Sequence, residues 1–207
     1  MTRLVSPALP QTTLMVIAID FGTSNTAIAR WNPATAQPEM LSLPGLSQTL
    51  ANNPPLIPSL LYVEDAAHNQ VIAGQAVRDR GLDLSRDPRC FRSFKRGIGT
   101  AVQGFLPNLE GVTVTFEQVG QWFLGKILQE LENLGEKPQS LVLTVPVDSF
   151  EPYRNWLNAA CETWAIPRIQ LLDEPTAAAW DTAPQAWKCC SLLILAAVRS
   201  IYRWYSS

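Results

Sequence analysis

Three short stretches carry the residue types needed to handle a phosphate. In Asp20-Phe-Gly-Thr-Ser-Asn25 a glycine, two hydroxyls and an amide directly follow a carboxylate. Gly22 lets the backbone turn tightly, so that successive N–H groups converge on one anion. Thr23 and Ser24 add hydroxyl donors, and Asp20 is placed to hold a hydrated Mg²⁺ against the phosphates. In Phe94-Lys-Arg-Gly-Ile-Gly99, Lys95 sits in a glycine-flanked loop. From there an ammonium can reach a terminal phosphate and stabilise charge as a bond breaks. In Leu171-Leu-Asp-Glu-Pro-Thr176, Glu174 is a carboxylate held between a strand end and a helix start, well placed to orient water. Taken singly, these are also the features of an ordinary hairpin turn, a solvated basic turn and the acidic first turn of a helix. The first is not a Walker A loop, because no Gly-Lys-Ser/Thr follows it.

The elements that must position these residues are readable from the hydrophobic pattern. Met15 to Asp20 is a continuous apolar run ending in a carboxylate, which predicts a buried central strand. Thr26 to Trp31 is β-like, so residues 15 to 31 read as a hairpin about the first motif. Asn32 to Pro58 reads mostly as proline-rich coil. Ser59 to Val63 and Gln70 to Ala73 read as short strands around a turn. Thr115-Phe-Glu-Gln118 is a capping box, with Val114 and Val119 as a hydrophobic staple. Trp122, Phe123, Ile127, Leu131 and Leu134 follow at helical spacing up to Gly135. Leu141 to Val145 predicts a second buried strand. Asp148-Ser-Phe-Glu151 predicts another capped helix, buried through Trp156, Leu157, Ala160 and Trp164. Arg168 to Leu172 predicts a third strand, and Asp173-Glu-Pro-Thr176 opens an alanine-rich helix. A strand hairpin followed by β-α-β is a mixed α/β plan.

Composition narrows the function classes. The chain has 207 residues, 47% hydrophobic and 16% charged, so disorder is a poor description. A net charge of −2 lacks the basic footprint of a nucleic-acid binder. The spacing of Cys90, Cys161, Cys189 and Cys190 fits no zinc pattern, and reduced thiols in a cytoplasmic protein are expected. His68, the only histidine, has no apparent triad or metal partner in the sequence. No secretory signal is recognisable in residues 1 to 14, which read as a disordered leader, and Met15 is a plausible start. The apolar stretch Cys189 to Val198 is half of the roughly 20 residues a bilayer span requires, so no membrane anchor is expected.

In combination and order, the motifs resemble the DnaK-type, seventy-kilodalton heat-shock chaperone family. The residues that carry the likeness are Ile19 to Thr26, Pro58 to Val63, Ala73 to Val77, Phe94 to Gly99, Leu141 to Val147 and Asp173 to Ala179. The likeness runs from about Met15 to Trp180 and covers the first lobe of that family's actin-like ATPase domain. It implies an α/β, ribonuclease H-like lobe over 15–182, a mixed β-sheet flanked by helices, with a small inserted subdomain at about 50–115. It also implies ATP or ADP with Mg²⁺ as cofactors. Gly22, Thr23, Ser24 and Asn25 match the phosphate-contacting turn, and Asp20 the carboxylate near the metal. Lys95 matches the lysine that orients the attacking water, and Glu174 the glutamate that helps hold metal and water. Pro146 and Arg154 match a proline and an arginine that relay nucleotide state. The partners implied are unfolded client peptides, J-domain co-chaperones and nucleotide exchange factors. After Pro146 the chain reads Val-Asp-Ser-Phe where the family usually has Ala-Tyr-Phe-Asn, which marks a divergent member. Other actin-like ATPases, such as filament proteins or sugar kinases, and a non-catalytic remnant are the rival readings.

The family's second lobe carries a glycine-rich phosphate loop of Asp-Phe-Gly-Gly-Gly-Thr type, absent here in frame. Codons permitted for Ile194 to Arg199, read one base earlier, spell that motif. The expectation is that residues 183–207 are an out-of-frame tail produced by a shift near Trp187 to Cys190. With one lobe only, weak nucleotide affinity and negligible turnover are expected of this chain.

Overall fold

The computed structural model describes residues 15–32, 34–35, 37–49, 53–145 and 151–173. The leader, Pro146, the capping box at Asp148, Glu174, the alanine-rich helix and the tail lie outside the described residues. In chain order the strands and helices are β1 Val16–Phe21, β2 Asn25–Asn32, β3 Gln37–Met40, β4 Ile57–Pro58, β5 Leu60–Asp65, β6 Gln70–Ala73, α1 Gln75–Asp79, β7 Cys90–Arg92, a 3-10 turn Phe94–Gly97, β8 Asn108–Leu109, β9 Val112–Thr113, α2 Phe116–Asn133, β10 Ser140–Val145, α3 Glu151–Thr163 and β11 Ile169–Asp173.

The main sheet is mixed, in the order β11-β10-β1-β2-β3, with β4 also on β2. β1 pairs in parallel with β10, and β10 with β11, while β1, β2 and β3 are antiparallel. All six residues of β1 are buried, as are all six of β10, which is why both read as mainly apolar runs, interrupted only by Asp20, Ser140 and Thr144. Alternation along β1 separates two faces. Ile17, Ile19 and Phe21 enter the large core, which also takes Phe123, Ile127 and Leu131 of α2 and Tyr153, Leu157 and Cys161 of α3. Val16 and Ala18 enter a smaller cluster with Ala27, Ala29, Trp31 and Val142. Leu61, Val63, Phe91, Phe94 and Leu109 belong to the same large core, so the second sheet, ordered β6-β5-β7, is packed against the first without a break in the apolar interior.

The capping box at Thr115 forms in both directions: the Gln118 N–H donates to the Thr115 hydroxyl, and the Thr115 N–H to the Gln118 side chain. Val114 and Val119 are both fully buried beside it. Three expectations change. The stretch from Asn32 to Pro58 is not simply coil: β3 and β4 both pair with β2, and Gln48 bridges to Leu56. Proline at position 38 did not prevent a strand, because β3 is the outer strand of the sheet. Leu134 is 46% exposed rather than on the buried face. It is the C-cap, turned away from the row that ends at Leu131, and Leu124 fills the core instead. On α3 the fully buried face comprises Tyr153, Leu157, Ala160 and Cys161, whereas Trp156 and Trp164 are partly covered. Among the described residues no helix is long and apolar enough to cross a membrane.

Candidate functional site

The parallel strands β1, β10 and β11 end at one edge of the sheet. Ile19 is level with Leu143, and Val145 with Asp173, so Asp20, Thr144 and Asp173 lie within a residue of one another along the strands. That edge, beyond the carboxyl ends of parallel strands, is where open α/β sheets accept ligands. Asp20 is 4% exposed and accepts a hydrogen bond of 2.6 Å from the Thr144 hydroxyl. A buried carboxylate needs such a donor.

The bend from β1 to β2 is built from below. The Gly22 N–H donates to the Asp20 carbonyl at 3.1 Å. Ser59, 2% exposed, donates its hydroxyl to the Gly22 carbonyl at 2.8 Å, and its N–H reaches the Ser24 carbonyl at 2.9 Å. The Ser59 and Thr26 hydroxyls are 3.0 Å apart and share a hydrogen bond. A Cβ on Gly22 would stand 2.1 Å from the Asn25 carbonyl oxygen, so no other residue fits this bend unchanged. Above, the situation reverses: Ser24 and Asn25 are exposed, and none of the Thr23, Ser24 or Asn25 side chains is hydrogen-bonded among the described residues.

Lys95 arrives from the 3-10 turn, 74 residues along the chain, and its ammonium donates to the Phe21 carbonyl at the foot of the bend. Its turn is clamped from α2. Glu117 accepts the Gly99 N–H at 2.9 Å, and both carboxylate oxygens accept the Gln103 amide at 2.8 Å. Partial burial pushes the Glu117 carboxyl up, but the Gly99 and Gln103 donors outweigh it and hold the group below its ordinary value. Gly99 has φ +74°, and a Cβ there would lie 2.7 Å from the Tyr153 nitrogen, so the loop also abuts α3.

The residues singled out from the sequence are thus distributed as follows. Asp20, Gly22, Thr23, Ser24, Asn25 and Lys95 meet at one place. Arg154 is half-buried on the first turn of α3, next to Tyr153. Pro146 and Glu174, which directly follow the ends of β10 and β11, lie outside the described residues. Ser59, Thr144, Glu117 and Tyr153 were not anticipated. For Ser59 the available signal was a hydroxyl inside the apolar run from Ile57 to Leu61. His68 is a surface residue, its ring nitrogen 2.8 Å from Asp65. Burial pushes the Cys161 thiol up to about 12, which makes it inert.

Among the described residues no group of three His, Cys, Asp or Glu side chains could by itself hold a metal. A single carboxylate beside a hydroxyl-rich bend is a donor set suited to a water-clad Mg²⁺ carried mainly by phosphate oxygens.

No family model matches the chain. It is 28% identical over 169 residues to a chaperone protein DnaK of Elusimicrobium minutum, covering 79% of this chain and 25% of that protein. It is also 28% identical over 194 residues to a chaperone protein HscA homolog of Pseudoalteromonas atlantica, covering 83% of this chain and 29% of that one. The chain therefore spans between a quarter and a third of the length of these curated relatives. The two likenesses support a relationship between this chain and the DnaK-type chaperone family.

Proposed function

We propose that the chain is the first lobe of an actin-like ATPase domain of the DnaK-type chaperone family, and that its β1–β2 bend binds the phosphates of ATP or ADP with Mg²⁺. The observation that supports this most is the meeting of Lys95 with the Phe21 carbonyl at the foot of a bend that only glycine permits. On this reading the bend amides and the Thr23 and Ser24 hydroxyls bind phosphate oxygens, and Asp20 holds water on the Mg²⁺. Thr144 keeps Asp20 oriented. The metal, when bound, neutralises phosphate charge. Lys95 leaves the carbonyl to place its positive charge beside the terminal phosphate and the attacking water, and Glu174 would complete that group from the end of β11. Pro146 and Arg154 would relay nucleotide state. Unfolded peptides, J-domain co-chaperones and exchange factors would be the corresponding partner classes in the full-length family. On this reading a first lobe supplies only the phosphate side of such a site, so weak nucleotide affinity is expected of one lobe alone.

Amide-resolved NMR titration with Mg-ATP tests the reading. The expected result is a shift of the Gly22 to Asn25 resonances at millimolar nucleotide. An unmoved bend, with or without shifts elsewhere, contradicts it. A rise in light scattering on adding Mg-ATP would instead favour a filament-forming relative.

A further inference from the structure

The Lys95 ammonium lies over two aromatic rings. Its nitrogen lies 5.4 Å from the centre of the Phe21 ring and 5.8 Å from that of Tyr153. Both rings are fixed by their neighbours. Phe21 is packed by Phe94, Phe123 and Trp156 at centroid distances of 6.0, 5.8 and 6.5 Å. Tyr153, only 6% exposed, lies 5.6 Å from Trp156, whose indole N–H donates to the Glu117 carbonyl at 3.1 Å. Gly99, on the lysine's own loop, abuts the Tyr153 backbone so closely that no Cβ fits between them. The faces of aromatic rings carry negative potential and attract an ammonium within about 6 Å.

We propose that Tyr153 is a positioning residue for Lys95: its ring and that of Phe21 form a two-ring aromatic seat that holds the ammonium at the Phe21 carbonyl, at the foot of the bend. The purpose of the seat rests on the phosphate-binding reading above; its existence does not. A seat of this kind keeps a long, flexible side chain in one place at low entropic cost when the lysine is needed. It also ties that place to the first turn of α3.

The test is the acetylation rate of Lys95 by N-hydroxysuccinimidyl acetate, followed by peptide mass spectrometry without nucleotide. Lys137, whose side chain is 80% exposed, serves as the reference in the same sample. Tyr153→Leu is expected to raise the ratio of Lys95 to Lys137 modification about threefold to tenfold. Tyr153→Phe, which keeps the ring, should retain the wild-type ratio. Leu157→Ala, which opens a cavity under the same helix, should retain it as well. The proposal is overturned if Tyr153→Leu matches wild type, if Tyr153→Phe reacts as fast as Tyr153→Leu, or if Leu157→Ala reproduces the increase. A second measurement needs no variant. In the wild-type protein, ring currents should move the Lys95 ε-methylene protons upfield of those of Lys137, and coincident resonances would overturn the seat. Protection of Lys95 by added Mg-ATP is scored separately, so a failed phosphate reading and a failed seat give different results.

Discussion

The bend at Gly22–Asn25 and the loop at Phe94–Gly99 meet at one carbonyl oxygen, yet they are built in opposite ways. The bend is braced from beneath by backbone bonds and by Ser59, and its outward side chains are left uncommitted. The loop is gripped by side chains: Glu117 from α2 holds Gly99 and Gln103, and the rings of Phe21 and Tyr153 seat Lys95. The first arrangement suits a receptor, which must present free donors to something arriving from solvent. The second suits a tool, one charged group kept at a fixed place until it is required. Substitutions on the two sides should therefore fail differently.

The largest effect is expected at the bend itself. Gly22→Ala forces a Cβ against the Asn25 carbonyl and should destabilise the chain by about 2–3 kcal/mol in urea melts. It should also abolish any nucleotide-induced shift of the bend. Ser59→Ala removes the donor to the Gly22 carbonyl and the partner of Thr26, and a loss of about 1–2 kcal/mol is expected by the same measurement. Ser24→Ala, on the open side, should stay within about 0.5 kcal/mol while weakening the response to Mg-ATP. If Ser24→Ala and Ser59→Ala destabilise equally, the contrast between a braced underside and a free outer side is wrong.

The loop should respond to acid. Glu117 is held below its ordinary value of 4.5, so the folded state favours its charged form. Its contribution is complete above about pH 4.5 and fades as pH falls from there through the lower folded value. Glu117→Gln should therefore lower stability in the neutral region and converge on wild type at acid pH, which flattens this part of the acid limb of a stability–pH curve. An acid limb identical to wild type would show that the carboxylate does not clamp the loop. Asp65 and Glu110 are also lowered, by hydrogen bonds from His68 and Arg89 respectively, so a residual acid limb is expected in the variant.

The contrast also explains what the sequence made readable. The bend was legible because its chemistry is local: an apolar run from Met15 to Ile19, then a carboxylate, a glycine and two hydroxyls within the six residues Asp20 to Asn25. The same holds for β10, β11 and the Thr115 capping box, each defined by a few adjacent positions. The clamp was not legible, since Glu117, Gln103 and Tyr153 are separated by up to 50 residues and are joined only in the folded chain, by the Glu117–Gln103 hydrogen bonds and by the contact of Trp156 on α3 with Glu117 on α2. Ser59 was hidden for a related reason, because its partners Gly22 and Thr26, in and beside the β1–β2 bend, lie 37 and 33 residues earlier in the chain. β3 escaped notice because a four-residue edge strand with a proline has no periodicity to detect.

One measurement bears most directly on the claim that the bend and Lys95 form a single phosphate site. An acyl-phosphate derivative of ATP transfers its acyl group to a lysine that lies beside the terminal phosphate, and the labelled peptide identifies the residue. The account predicts label on Lys95, suppressed by excess Mg-ATP and lost in Gly22→Ala. Label confined to exposed lysines such as Lys137, indifferent to Mg-ATP, would contradict it.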